Sequence, residues 1–346
     1  MLVPLIMAGG KGTRLYPASR EARPKQLLRV FSDLTMIQET VARIRDLASP
    51  EQIFIGTTLE LLDRIREQVP EVPPDNYIIE PIGRDTAPAI AYAALTIQRR
   101  YPDAVMAVLS ADQVIKPASR FHEVLTTAVQ AATETHGLIT MGIRPNRPET
   151  GYGYIKPGKP QGAVYAVERF TEKPDRETAA RFVEEGYLWN SGMFVWEVAA
   201  ICDALRAHVP DIYEGIRGIV DARRPAEEVF PTLRRISIDF GVMEKAANVY
   251  VIEADFLWDD MGAWTSLARV VDADGQGNVT RGDFIPIDST GCIVHSDGGL
   301  IAAIGVKDLV IVKSDDVVVI CPKARDQEIK ALVEMLKNDP ERRRYA

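Results

Sequence analysis

Three glycines and three cations lie close together near the amino terminus: Gly9, Gly10 and Gly12, with Lys11, Arg14 and, after Pro24, Lys25. Backbone N–H groups in such a loop can approach phosphate oxygens because no side chain intervenes, while the cations offset the charge. The apolar run from Leu2 to Ala8 reads as a buried strand that delivers the loop to its carboxyl end, where anions bind in α/β sheets. A strand-to-helix turn with solvated lysines would use the same letters. Two familiar phosphate loops are excluded. Leu15 stands where a dinucleotide fingerprint needs its third glycine, and no Gly-Lys-Ser/Thr follows a four-residue spacer.

Carboxylates follow at the ends of other apolar runs. Glu80 closes Tyr77-Ile78-Ile79 and leads into Pro81-Ile82-Gly83-Arg84-Asp85-Thr86-Ala87-Pro88. That stretch is either a turn before a helix capped by Asp85, or a turn that also points the Glu80 carboxylate into the crevice at the strand ends. Asp112 follows the apolar run 104–109. It is either a loop cap or a ligand for a hard cation such as Mg²⁺, and delivery from a central strand favours the ligand. Asp259 and Asp260, in Trp258-Asp259-Asp260-Met261-Gly262-Ala263-Trp264, could each supply a second carboxylate or cap the helix expected over 262–271. Glycines, aromatics and polar groups mix in Thr150-Gly151-Tyr152-Gly153-Tyr154-Ile155, Thr171-Glu172-Lys173-Pro174 and Trp189-Asn190-Ser191-Gly192-Met193-Phe194. Such a mixture suits a sugar, with rings against its apolar face and carboxylates or amides on its hydroxyls; a β-hairpin with an exposed Glu-Lys pair is the plainer alternative. Trp189 to Phe194 reads as a strand-borne turn.

The elements that must position these residues alternate. Helices are expected over 35–48, 59–69, 86–100 and 119–135, and strands over 53–57, 77–79, 104–109 and 138–143. The rhythm predicts an α/β, doubly wound, mostly parallel sheet over residues 1–270. Beyond Gly275 short β-rich runs at 284–287, 291–294, 300–306, 309–313 and 317–320 lie between Asp, Ser and Gly turns, and a helix over 323–336 closes the chain. Residues 275–346 therefore read as a small β-rich domain of partial β-helix type whose exposed ends could pair with a second copy.

Net charge −8 over 346 residues argues against an extended nucleic-acid surface, so phosphate contacts are expected from a local cluster of cations. Cys202, Cys292 and Cys321 are odd in number and widely spaced, as are the four histidines, so buried free thiols, a reducing cytoplasm and no zinc site are expected. No stretch approaches the roughly 18 apolar residues of a membrane span, and no basic leader precedes the first apolar run.

Taken in order, these segments resemble the mannose-1-phosphate guanylyltransferase family of the sugar nucleotidyltransferases. The match includes Pro24-Lys25-Gln26, Ala111-Asp112 and Ser237-Ile238-Asp239 with Val242-Met243-Glu244-Lys245, and it covers most of residues 1–265. The ordered set is specific where each motif alone is not. The resemblance implies a nucleotide-binding domain, a short left-handed β-helical domain, and Mg²⁺-dependent transfer of GMP from GTP to mannose 1-phosphate, giving GDP-mannose and pyrophosphate; the exposed ends of the short coil add the expectation of a homodimer. It assigns the backbone of Gly9, Gly10, Lys11, Gly12 and Thr13, with Arg14 and Lys25, to the triphosphate, and adds Ala8, Glu80, Gly83, Asp85, Thr86 and Ala87 to the nucleotide-binding set. Asp112 and Asp260 would hold Mg²⁺, and these two aspartates with Arg14 and Lys25 form the catalytic set. Gly153, Glu172 and Asn190 would face the mannose ring, and Lys173 its phosphate.

A carboxylate at Glu80 can accept from guanine N1–H and the 2-amino group together, a pairing that thymine and adenine cannot offer. No triad is required, because a sugar phosphate is already an anionic nucleophile. The chain departs from the family at Gln113, where a histidine is usual, at Met261 and Ala263 beside Asp260, and at Phe240-Gly241. At this length no cupin-like extension with a fused isomerase activity is expected. The competing readings are a nucleotidyltransferase for another base or sugar, and a catalytically silent sugar-nucleotide sensor.

Overall fold

The computed structural model describes residues 1–10, 12–21 and 23–346, and of Thr13 only the main chain; Lys11 lies outside the described residues. The chain forms two compact units, one of Met1–Gly9, Val41–Ser110 and Ile115–Trp258, the other of Gly10–Thr40, Ala111–Val114 and Asp259–Ala346.

The first unit is built on one sheet. Its strands are β1 (Leu2–Met7), β2 (Phe54–Thr58), β3 (Tyr77–Glu80) and β4 (Val105–Ser110); after the short β5 (Val114–Lys116) come β6 (Leu138–Ile143), β7 (Tyr154–Gln161), β8 (Val164–Thr171), β9 (Leu188–Glu197) and β10 (Val249–Ala254). The order is β3-β2-β1-β4-β9-β6-β10-β8-β7, without β5. The first four strands are parallel, β6 and β10 are parallel to each other, and β9 runs antiparallel between β4 and β6. Buried on both faces, β1 and β4 are almost wholly apolar, as covered parallel strands are. Pro4 is tolerated in β1 for a local reason. Ala8 N–H donates to Gly56 O on the β2 side (2.7 Å). Alternation turns Pro4 to that same side, where the register with β2 begins only at Leu5↔Phe54, so its missing N–H interrupts no ladder.

The helices α1 (Met36–Ile44), α2 (Leu62–Gln68), α3 (Thr86–Arg100) and α4 (Ala118–Thr135) stand near their expected places. The small side chains Ala87, Ala91 and Ala94 of α3, with Ile90 and Ile97, let it sit close in a core that includes Val3, Leu5, Phe54, Met106 and Trp196. One reading is corrected. Residues 189–194 are not a turn but the middle of β9, where Asn190↔Gly142 and Phe194↔Thr140 enclose a register shift and Gly192 has φ +71°. Residues 154–161 form a strand despite two prolines and three polar residues, because β8 pairs along it and β9 with its start.

In the second unit, parallel β12 (Val279–Arg281), β14 (Ile293–Ser296) and β16 (Leu309–Ser314) stack, with β17 (Val317–Pro322) antiparallel beyond them; β11 (Leu257–Asp259) precedes them in the chain. A second parallel pair, β13 (Phe284–Ile287) and β15 (Ile301–Ile304), forms another face. Sequence reading missed β12, which has only three residues. The helix expected over 262–271 is shorter, a 3₁₀ turn at Trp264–Ser266 followed by Leu267–Val270. Cys202 and Cys292 are buried free thiols, whereas Cys321 is only half-buried. Among the described residues no helix is long and apolar enough to cross a membrane.

Candidate active site

Within the second unit the cationic loop has a specific internal partner. Lys25 opens a 3₁₀ turn (Lys25–Leu27) and is only 6% exposed. Its Nζ donates to Asp112 Oδ2 at 2.8 Å and also to the Asp260 carbonyl oxygen. One buried ammonium therefore gathers both aspartates that the sequence singled out. Gly12 has φ +44°, and a Cβ there would lie 2.6 Å from Lys25 Cβ, so only glycine lets the loop lie against this lysine. Gln26 Nε2 donates to Gly10 O (3.0 Å), a second tie that sequence reading did not assign. Arg14 is exposed.

The structure separates the two neighbouring aspartates. Asp259 is buried, pairs with Arg269 through Oδ2 at 2.5 Å and accepts from Met261 N–H at 2.8 Å through Oδ1. Its role is to hold the turn. Asp260 accepts from Gly262 N–H at 3.1 Å, and its residue is half-buried. Among the described residues no group of three or more His, Cys, Asp or Glu could hold a metal. The donors present are two hard carboxylates, with the Asp112 side chain 40% exposed. That set fits a divalent cation whose remaining ligands are substrate phosphates and water.

In the first unit Glu80 ends β3 and is 4% exposed. Its Oε2 is buried without a hydrogen-bond partner among the described residues, and a Cβ on Gly9 would lie 3.7 Å from its Oε1. Burial pushes its pKa up to about 7; the Arg84 N–H lowers it and the Asp85 charge raises it further. Such a carboxyl is an acceptor still lacking donors. Asp85 has φ +72° and accepts from Thr86 N–H (2.8 Å), starting α3. Ala8 N–H, Ala87 N–H and the Thr86 hydroxyl all make protein hydrogen bonds: Ala8 to Gly56 O, Ala87 to Ile236 O at 3.1 Å, and Thr86 Oγ1 accepting from Ile238 N–H at 2.8 Å. Among the described residues, no atom beyond its chain neighbours lies within 4 Å of a Cβ placed on Gly83.

The same unit assembles the third group. A Cβ on Gly153 would meet Glu172 Oε2 at 2.3 Å, so glycine leaves room for that carboxylate, whose Oε2 is again buried and unpartnered among the described residues. Lys173, at φ +48°, places its Nζ 2.5 Å from Glu172 Oε1, and its side chain is 60% exposed. The Asn190 amide is locked: Nδ2 donates to Asp239 Oδ1 (2.8 Å), and Oδ1 accepts from Gly192 N–H (3.1 Å) and the Thr140 hydroxyl (3.3 Å). Asp239 begins a π turn (Asp239–Met243), a distortion that often marks function. Desolvation and then the Glu172 charge raise its pKa to about 6, while Asn190 opposes the shift. Sequence reading gave Asp239 no role, although it stood inside a quoted motif; its contact with Asn190 joins residues 49 positions apart.

The nucleotidyl transferase family model matches residues 3–277, and the MannoseP isomerase/GMP-like beta-helix domain model matches residues 282–336. The chain is similar to the mannose-1-phosphate guanylyltransferases of Escherichia coli and Klebsiella pneumoniae, each 42% identical over 98% of this chain and 74% of the relative. A solved structure from Thermus thermophilus, described as a mannose-1-phosphate geranyltransferase, is 36% identical with a TM-score of 0.90, covering 97% of this chain and 99% of its own.

The raised Glu80 pKa has a consequence for stability. A carboxyl at about 7 when folded and near 4.5 when unfolded favours the folded state below pH 4.5, and that contribution is lost as pH rises through 7. Glu80→Gln should therefore stabilise the unliganded protein at pH 8 by on the order of 1–3 kcal/mol, and by less at pH 5. Chemical denaturation at the two pH values checks this; equal effects at both would contradict it.

Proposed function

The chain belongs to the nucleotidyl transferase family, and on that premise we infer that it transfers GMP from GTP to mannose 1-phosphate, giving GDP-mannose and pyrophosphate. The observation that carries the base is Glu80, a buried carboxyl whose Oε2 has no hydrogen-bond partner among the described residues. Guanine presents two adjacent donors, N1–H and the 2-amino group, and so supplies what this acceptor lacks.

The remaining roles follow from the chemistry of each group. The Gly9–Gly10–Gly12 main chain and Arg14 receive the triphosphate, and Lys25 adds charge there while orienting Asp112. The family's chemistry uses a divalent cation. We assign it as Mg²⁺, held by Asp112 and Asp260; when bound it neutralises phosphate charge and helps align the phosphates. Lys173 receives the phosphate of the sugar, and Glu172 accepts from a hydroxyl through its unpartnered oxygen. Asn190 and the main chain at Gly153 fix the ring. The attacking phosphate oxygen is anionic at neutral pH, so no side chain removes a proton. Rate enhancement comes from alignment and charge neutralisation.

We also assign the homodimer contact to the outer face of β13 and β15. Ile285, Ile287 and Ile304 are 50%, 51% and 71% exposed, and the register Ile285↔Ala302 and Ile287↔Ile304 makes them one apolar patch.

Pyrophosphate release with a panel of nucleotides and sugar phosphates tests the reaction, with GTP and mannose 1-phosphate expected as the preferred pair; equal use of dTTP or ATP would contradict the base assignment. Glu80→Gln should lower kcat/KM for GTP about 10- to 100-fold, leaving the KM for mannose 1-phosphate near its original value. Because guanine's donors favour ionised Glu80, affinity for GTP should be full above pH 7 and fall as pH drops through about 7. The Gln variant should lose that dependence, as calorimetry would detect. Asp112→Asn should reduce Mg²⁺-dependent turnover about 100-fold or more while circular dichroism stays unchanged; near-full activity would remove Asp112 from the site. Ile304→Glu should yield monomers in sedimentation equilibrium, and an undisturbed dimer would place the interface elsewhere.

A further inference from the structure

The segment leading to Lys25 is fastened from outside itself. Arg20 and Arg23 exchange main-chain hydrogen bonds (Arg20 N to Arg23 O, 3.0 Å; Arg23 N to Arg20 O, 2.9 Å), an isolated antiparallel bridge. Both arginines then reach the β-rich layer of the same unit. Arg20 Nη2 pairs with Asp316 Oδ1 at 3.0 Å and donates to Ser314 O at 3.4 Å, while its Nε donates to Pro17 O at 3.2 Å. Arg23 Nη1 pairs with Asp297 Oδ2 at 3.0 Å.

Asp297 differs from an ordinary surface partner. Its side chain is 19% exposed, and it also accepts from His295 Nε2 (2.9 Å) and from the Ser314 hydroxyl (2.6 Å). Burial pushes its pKa up, but those two hydrogen bonds and the charges of His295 and Arg23 outweigh it and hold the carboxyl well below the usual range. The carboxylate is thus fixed by β14 and β16 before Arg23 meets it. Two residues beyond Arg23, Lys25 enters the site, and the turn that carries it is closed by Leu27 N–H to Pro24 O (2.9 Å) and Leu28 N–H to Lys25 O (3.0 Å). Lys25 must arrive within hydrogen-bond reach of both Asp112 and the Asp260 carbonyl, and small displacements of such groups cost large factors in rate.

We propose that Asp297 is a positioning residue for the reaction, acting through Arg23 to fix the turn that presents Lys25 to Asp112. The β-rich layer then serves as the rigid support of the catalytic lysine. The proposal rests on the role given to Lys25 in the reaction above, and its test separates the two.

Asp297→Asn and Arg23→Gln would be compared with Arg325→Gln, which removes an exposed ion pair to Glu328 in the same unit. Each of the first two should lower kcat about tenfold with the KM for mannose 1-phosphate unchanged, and the double variant should lose little more than either single one. Arg325→Gln should leave kcat unaltered. Hydrogen exchange should quicken at the Leu27 and Leu28 amides in Arg23→Gln, a readout independent of turnover. Wild-type kcat in both variants, additive losses, or unchanged exchange at those amides would overturn the proposal. If the wild-type protein does not release pyrophosphate from GTP and mannose 1-phosphate, the functional reading fails, and the exchange result still decides the positioning role.

Discussion

A lysine ammonium that is almost wholly buried has to be matched by fixed acceptors, because an uncompensated charge away from water is strongly destabilising. Lys25 finds them in the Asp112 carboxylate and the Asp260 carbonyl, groups from segments 87 and 235 positions away. That requirement organises the second unit. Gly12 lets the loop lie on this lysine, Asp259 is committed to Arg269 so that the turn bearing Asp260 holds its shape, and the bridged Arg20 and Arg23 are anchored on the β-rich layer. The arrangement holds a cation and two aspartate residues in one place, the kind of preorganisation that charge-stabilising catalysis needs.

The first unit follows a different rule. Glu80 and Glu172 are both carboxyls with a buried oxygen that no described group satisfies, an arrangement expensive for stability. Glu172 stands beside Gly153, whose missing side chain leaves it room. Thr86 and Ala87 tie the start of α3 to Ile236 and Ile238, and Asp239, the next residue, fixes the Asn190 amide. The loop that follows Glu80 and the group around Asn190 are therefore joined by a short run of main chain. In the proposed reaction this chain of contacts links the base side of the unit to its sugar side.

Much of this was legible in the letters because strong local patterns carried it. Apolar runs ending in Gly9, Glu80 and Asp112 marked strand termini, and Asp85 before an alanine-rich stretch marked a cap. What stayed hidden depended on distant partners. Nothing in Asp259-Asp260 tells which acid pairs with Arg269, so the two could not be separated until Arg269 was located. The bulge in β9 arises from its register with β6, and residues 189–194 alone look like a turn. The extent of the strand at 154–161 was not legible because its prolines and polar residues obscure the alternation that pairing imposes. Asp239 carried no signal of its own, since its partner Asn190 belongs to another motif.

The claim on which the rest depends is that Lys25 organises the acidic pair for catalysis and does more than neutralise a buried charge. Single-turnover pyrophosphate release by Lys25→Gln, measured beside calorimetric binding of guanosine, tests it most directly. A loss of about 100-fold or more in the rate, with guanosine affinity unchanged and the fold retained, is the expected result. A rate within twofold of the original would contradict the account.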